Sequence, residues 1–213
     1  MEYSLSIMPQ VWIGIVNTLK MYFAAILPVL PLGIILAIAK VAGPKPLRWL
    51  LDVYTWAWRG TPLLLQLMIV IYGFPYLGIK LPAFFAAAGV FTLNMAAYVT
   101  EIMRAAIQSV DRGQFEACRV LGIPYWKMMI RIILPQSIRI ALPPLCSESI
   151  NLIKDTALIC VISMQDISRV AFQIVSRDHR LEAYLIAFGI YLLLTSLLVL
   201  LSRHLEKRFT AYD

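Results

Sequence analysis

Long apolar runs separated by short polar segments are the feature that most constrains how this chain can fold. A membrane-spanning helix needs about 20 mostly apolar residues. Of the 213 residues, 61% are hydrophobic and 15% charged, whereas a soluble domain is typically ~45–50% apolar and ~25% charged. The chain is therefore predicted to be one all-α integral membrane domain over 1–213, with five transmembrane helices at about 11–41, 51–77, 83–106, 133–164 and 182–202.

Two of these spans are longer than a simple crossing requires. Pro28 and Pro31 lie inside the first, and Pro143 and Pro144 lie inside the fourth. Proline removes a backbone hydrogen bond from a helix, and in a bundle the neighbouring helices can satisfy the freed group. The pattern therefore predicts a kink in the first span and a bent or broken fourth span.

Basic residues predict the orientation. If the spans alternate, three positively charged regions fall on one side of the membrane, and that side is cytoplasmic by the positive-inside rule. The opposite side holds Lys80 and three arginines after span four, which weaken the bias without reversing it. The N-terminus is thus predicted outside, with the C-terminus and a loop of about 108–131 inside. The cytoplasmic regions contain Lys40, Lys45 and Arg48, then Arg104, Arg112, Arg119, Lys127 and Arg131, then Arg203, Lys207 and Arg208.

Several function classes lack support in the composition. The net charge of +7 comes with no nucleic-acid-binding motif. Cys118, Cys146 and Cys160 have no metal-ligand spacing, and their odd number argues against a disulfide framework. No metal or cofactor is predicted. The first ten residues contain no Lys or Arg, so a cleavable signal is not expected.

The polar loop between spans three and four is predicted to contain two short helices. Gln114 to Leu121 are good helix formers, and Gly122 follows at the position where a helix often ends in a left-handed residue. Pro124 then suits the first turn of a second helix, Tyr125 to Ile133, which leads into span four. Such a pair could be an ordinary helical hairpin, or it could present a docking surface to a soluble protein.

A polar stripe interrupts the fourth apolar stretch. At 100° per residue, Glu148, Asn151 and Asp155 fall within about 60° of each other, with Ser147 and Lys154 beside them. Charged groups at bilayer depth cost about 2.5–3.5 kcal/mol each on insertion scales, so they are rarely without a role. Lys154 could form a structural ion pair with one carboxylate. The surplus carboxylate also fits a site for a polar zwitterion.

The loop sequence resembles the "EAA loop" of permease subunits in ATP-binding-cassette (ABC) importers. Glu116-Ala117-Cys118, Gly122 and Ile132 to Pro135 carry this spacing, with Cys118 where alanine is usual. Other segments are similar to the His/Glu/Gln/Arg/opine branch of amino-acid permeases, and together they cover residues 14 to about 207. They are Gly14 with Thr18-Leu19, Arg59 to Leu64, Asn94 to Tyr98 with Glu101 and Arg104, Gly113-Gln114, and Lys154 to Leu158.

This resemblance implies a type I importer permease in the bacterial inner membrane. Its expected partners are an ABC ATPase dimer, an identical or homologous second permease, an extracytoplasmic solute-binding protein and a polar amino acid. The implied ATPase-coupling residues are Gln114, Glu116, Ala117, Cys118, Leu121 and Gly122. The implied substrate-binding residues are Ser147, Glu148, Asn151, Lys154, Asp155 and Thr156, and glutamate at position 148 is only weakly indicative of a basic substrate.

Further polar residues could form a gate or have a structural role. Arg59, Thr61 and Gln66 lie in span two, and the position of Arg59 near the start of that span favours a structural contact near the cytoplasmic face. Glu101 and Arg104 have the spacing of a helical ion pair. The segment from Arg177 to Arg180 is expected to be a solvated external loop that could also touch a receptor.

Motifs of other classes are missing from the sequence. No G-x-x-x-x-G-K-[ST], H-E-x-x-H or G-x-S-x-G occurs, so neither ATP binding nor hydrolysis by this chain is predicted. The chain is expected to be a transport subunit and not an enzyme. An ion-coupled secondary amino-acid transporter is the alternative, since acid and base groups in a broken helix also suit proton coupling.

Overall fold

The computed structural model describes residues 2–210, which are mostly α-helical and contain no strand. The all-α prediction is confirmed for this part of the chain. Short π-helical segments cover Ile69–Gly73 and Met129–Ile133, and 3₁₀ segments cover Phe74–Leu77 and Thr156–Ile162. The α-helices are α1 (Glu2–Ala42), α2 (Lys45–Gly60), α3 (Leu63–Met68), α4 (Ala83–Ser109), α5 (Arg112–Val120), α6 (Tyr125–Met128), α7 (Leu134–Asp155), α8 (Ile167–Asp178) and α9 (Glu182–Thr210).

Among the described residues, three helices are long and apolar enough to cross a membrane: α1, α4 and α9. Each of two bent pairs of helices adds one further crossing if the pair is counted as a single span. The axis turns by 103° between α2 and Leu63–Leu77, and by 49° between Tyr125–Ile162 and α8. A count of five is reached only if each bent pair is one span.

The break after α2 differs from the single helix predicted over 51–77. Thr61 has an extended backbone (φ −121°, ψ 147°), and Pro62 precedes the first residue of α3. A proline clashes with a preceding residue in the helical conformation and favours an extended one. The Thr61-Pro62 pair therefore ends α2.

The fourth predicted span is also irregular, but not at its prolines. Helix α7 continues through Pro143 and Pro144 to Asp155 and then tightens into the 3₁₀ segment. The chain turns at Ser163, which has φ 62°. Asp166 then begins α8 by accepting hydrogen bonds from the backbone of Ser168 and Arg169, both 2.9 Å. Helix α8 therefore occupies most of the segment between the fourth and fifth predicted spans, and it includes the first two residues, Arg177 and Asp178, of the predicted external loop.

Two apolar cores hold the helices together. In the larger core α1 packs on α4, and a Cβ added to Gly33 would lie 2.4 Å from Cγ1 of Val99. Because only glycine allows such a close approach to Val99, Gly33 permits the α1–α4 contact. The smaller core joins α1 to α8 and α9 through residues such as Ile7, Ile174 and Ala187.

Gly14 and Thr18 join α1 to the corner before α8. A Cβ on Gly14 would lie 3.0 Å from Cα of Ile167, and the backbone N–H of Ile167 donates to the Thr18 hydroxyl at 3.3 Å. Thr18 is fully buried. Gly14 and Thr18 thus form one contact between α1 and the corner before α8.

The last helix presents an apolar outer surface. Large apolar side chains along α9 are exposed, as expected for a surface that faces lipid in place of water. Its exposed residues include Leu185, Phe188, Leu192, Leu193, Leu197, Leu200 and Leu201.

Candidate functional site

A polar cavity of about 680 Å³ opens where the α2–α3 break, α4 and α7 meet. From α7 it is lined by Glu148, Asn151, Lys154 and Asp155, as the helical spacing predicts for one face. Sequence reasoning treated this stripe and the Arg59–Leu64 segment as separate features. The structure brings both to the same cavity, together with Asn94, Met95 and Tyr98 of α4.

Three of the predicted site residues do not line this cavity. The Ser147 hydroxyl donates to the carbonyl of Pro143 at 3.2 Å, and the buried Thr156 hydroxyl donates to the carbonyl of Ile153 at 2.7 Å. Both hydroxyls therefore bond within their own helical turn. Gln66, the third residue, is hydrogen-bonded to Trp58 and Thr61 at the end of α2.

The charges of the cavity are not paired with one another. Within residues 2–210, no ion pair within 4.0 Å joins Lys154 to Glu148 or Asp155. The structural ion pair considered for Lys154 is thus not formed. Two carboxylates and two cations, Lys154 and Arg59, line one cavity, so it can accept both the ammonium and the carboxylate of a zwitterion.

Arg59 and Tyr98 form a contact that the sequence did not predict. The Arg59 guanidinium lies over the Tyr98 ring, 5.1 Å from its centroid, a favourable cation–π geometry. The sequence favoured a structural contact for Arg59 near the cytoplasmic face. In the structure Arg59 contacts α4 and also lines the cavity. Asn94 and Tyr98, one turn apart on α4, were noticed only as part of a motif.

Gln66 and Asn94 satisfy the backbone at the α2–α3 break. The Gln66 amide donates to the carbonyl of Trp58 at 2.8 Å and to the hydroxyl of Thr61 at 2.8 Å. The Asn94 amide donates to the same Trp58 carbonyl and to the Gln66 side-chain oxygen, both at 2.9 Å. Helix ends leave carbonyls without intrahelical partners. Gln66 and Thr61 therefore have a structural role here.

The segment from Asp111 to Pro124 contains the short helix α5, which is capped at both ends. The carboxylate of Asp111 accepts from the backbone of Gly113 at 2.6 Å and caps α5. Gly122 has φ 65°, and the backbone N–H of Ile123 donates to the carbonyl of Cys118 at 2.9 Å. This is a Schellman motif with glycine at C′, as the sequence predicted.

The two faces of α5 differ in exposure. Glu116 and Ala117 are exposed, and so is Leu121, at 74% of its surface. Cys118 is only 4% exposed and packs in the main core of this chain. Cys118 therefore lies on the inner face of α5, apart from the exposed residues that are predicted to contact the ATPase.

A buried cation was missed by sequence reasoning. Lys40 is 9% exposed, and its ammonium forms ion pairs with Asp52 at 2.8 Å and with Glu101, and donates to the Thr55 hydroxyl at 2.8 Å. Glu101 also pairs with Arg104 at 2.9 Å. Lys40 was counted only as a cytoplasmic charge. The sequence feature that could have indicated its burial is its place at the end of a run of nineteen uncharged residues, 21–39.

Most of the chain is similar to known transport proteins. Residues 29–211 match the family model described as binding-protein-dependent transport system inner membrane component. The arginine transport system permease protein ArtQ of Bacillus subtilis (strain 168) is 40% identical over 207 residues, covering 96% of this chain and 94% of ArtQ. The putative glutamine transport system permease protein GlnP of Rickettsia bellii (strain RML369-C) is 42% identical over 217 residues, covering 97% of each chain.

The fold has a solved counterpart. The crystal structure of an amino acid ABC transporter with histidines superposes with a TM-score of 0.89 at 36% sequence identity. The match covers 97% of each chain.

Proposed function

The chain belongs to the family of binding-protein-dependent transport system inner membrane components, and on this premise we propose that it is the permease through which an ATP-driven importer moves a polar amino acid. As a member of this family it is a multi-pass inner membrane subunit of an ABC transporter, and the ATPase is a separate partner. Relatives named for arginine and glutamine transport support a polar amino acid as substrate.

The observation that carries the proposal is the cavity lined by charges of both signs, none of which forms an ion pair within 4.0 Å with another described residue. The ammonium of the substrate binds Glu148 or Asp155, and its carboxylate binds Lys154 or Arg59. A guanidinium can hold a carboxylate with two parallel hydrogen bonds, and the Tyr98 ring keeps Arg59 in place for it. Asn151 supplies a neutral donor and acceptor between the charges.

The proposed arrangement has five crossings, with the N-terminus outside and the α5 segment in the cytoplasm. Two ATPase subunits bind beneath a pair of identical or homologous permeases, and a solute-binding protein delivers the amino acid from outside. The exposed face of α5, with Glu116, Ala117 and Leu121, supports an ATPase contact there. Gln114 and Gly122 are also exposed.

Coupling is proposed to run through one continuous helical segment. From Tyr125 the chain is helical through α6, the π turn and α7 to Asp155. Glu148 lies 23 residues after Tyr125, about 35 Å away at 1.5 Å per residue. When the ATPases close, α5 moves with them, and the rigid Gly122 turn passes that motion to α7 and its cavity residues.

The experiment that tests this function is co-purification followed by reconstitution. The affinity-tagged chain should bring down an ATPase in roughly equal amount, and liposomes with the complex and the binding protein should accumulate the amino acid only with ATP. Accumulation driven by an ion gradient, with no ATPase present, would support the secondary transporter and overturn the proposal.

A further inference from the structure

A second cavity, apolar and about 310 Å³, lies between the end of α1, the start of α2 and α6. Its walls include Ile35, Ala39 and Ala42 of α1, Leu47 of α2 and Trp126 of α6. Its size is at the lower end of ligand pockets, which are roughly 300–1,000 Å³. We refer to it as the α1–α6 groove. It has no lining residue in common with the polar cavity.

The chain segments that flank the groove carry mostly positive charge, and the nearest acid on α2, Asp52, pairs with Lys40 of α1. Segments 41–51 and 120–134 contain Lys45, Arg48, Lys127 and Arg131 and no Asp or Glu. All four cations are exposed. In the described part of the chain, none of them makes an ion pair or a side-chain hydrogen bond. These cations are available to an anion from outside the chain.

The cations lie next to the groove in sequence. Lys45 and Arg48 are within two residues of Leu47, and Lys127 directly follows Trp126. An ammonium or guanidinium at the end of a long side chain can reach a headgroup while its apolar stem covers the groove wall. None of these cations lines the groove itself, so a positively charged rim forms only when their long side chains extend over its mouth.

Exposed tryptophans place this end of the bundle at the membrane interface. Trp126 is 63% exposed although it lines the groove, and Trp49 and Trp56 on α2 are exposed as well. Tryptophan is enriched at the level of the lipid headgroups because its ring is apolar and its N–H is polar. An occupant of the groove thus has its apolar part in the hydrocarbon and its polar part among headgroups.

We propose that the α1–α6 groove binds an anionic phospholipid. One acyl chain fills the slot against Ile35, Ala39 and Leu47, and Lys45, Arg48 and Lys127 hold the phosphate. Basic pockets between transmembrane helices select anionic headgroups in this way. The inference rests on the proposed orientation only in assigning the lipid to the cytoplasmic leaflet. Because the walls come from α1, α2 and α6, the bound lipid joins the coupling segment to the bundle.

The test is photo-crosslinking in the complex purified with its partner subunits. Phosphatidylglycerol and phosphatidylcholine, each with a diazirine in the acyl chain, are titrated into nanodiscs, and labelled peptides are identified by mass spectrometry. Phosphatidylglycerol should label residues 35–47 and Trp126 at much lower concentration than phosphatidylcholine. Lys45→Gln/Lys127→Gln should weaken this labelling by about 25-fold, since each surface cation contributes roughly fivefold.

Lys20→Gln/Lys80→Gln is the matched control, because it removes two exposed lysines that lie away from the groove lining. It should leave the labelling unchanged. Equal labelling by both lipids, or an equal loss in both double variants, overturns the proposal. Labelling that occurs only when the ATPase is absent also overturns it and assigns Trp126 to the ATPase contact. Recovery of the ATPase is scored separately, so that failure of the proposed transport function is distinguished from failure of the lipid proposal.

Discussion

Lys40 at the end of α1 forms a buried ion pair with Glu101 on α4, although the two residues are 61 positions apart in sequence. The same ammonium pairs with Asp52 on α2, whose side chain is largely exposed. One lysine thus connects three helices at the end of the bundle that carries the coupling segment. Glu101 depends more on Lys40 than Asp52 does, because the Glu101 side chain is only 15% exposed and has Arg104 as its one other cationic partner among the described residues.

Lys40→Ala is expected to destabilise the subunit by about 1–3 kcal/mol, since Glu101 loses a buried charged partner and keeps only its pair with the partly exposed Arg104. The measurement is thermal unfolding of the purified protein in detergent. Lys20→Ala, on the exposed face of the same helix, is the control and should unfold like the wild type. Similar unfolding of both variants would contradict a structural role for the Lys40 network.

Glu148→Gln is expected to raise the KM for uptake about tenfold or more. It removes a charge that faces the cavity, and a hydrogen bond to a charged group contributes about 1.5–3 kcal/mol. Ser147→Ala, at the neighbouring position, should leave uptake unchanged because the Ser147 hydroxyl bonds to its own helix. Unaltered kinetics for Glu148→Gln at normal expression would remove Glu148 from the site.

Gly122→Val should leave membrane insertion intact but uncouple ATP hydrolysis from uptake. Its φ of 65° is unfavourable for a β-branched residue, and the strain of roughly 1–2 kcal/mol would open the turn after α5. Nothing within 4 Å obstructs a Cβ there, so Gly122→Asn, which tolerates this φ, should retain coupling. Both activities are measured in the same proteoliposomes. Normal uptake by the valine variant would argue against the coupling role of this turn.

Cysteine labelling tests which face of α5 is outward. In a Cys118→Ala background, Ala117→Cys should react rapidly with a maleimide, and the bound ATPase should protect it. Native Cys118 should react slowly whether or not the ATPase is bound, because it is packed in the core. Fast labelling of Cys118 that the ATPase abolishes would restore the original expectation for this residue.

Local features of this protein were predictable from neighbouring residues. The turn at Gly122 depends on contacts within six positions of the chain, and the polar face of α7 follows from the 3.6-residue period of a helix. The Thr61-Pro62 break had an equally local signal in the residue before proline, but a long apolar run masked it.

The sequence by itself determined a helical membrane protein with one polar stripe and one exposed helix between spans, because burial in lipid and helical period act along the chain. Only the tertiary structure decided that Arg59 shares a cavity with Glu148, that Lys40 reaches Glu101, and that Cys118 points inward. These relationships depend on how each helix is rotated about its axis. That rotation is set by contacts between distant segments, such as Gly33 against Val99, which no local pattern records.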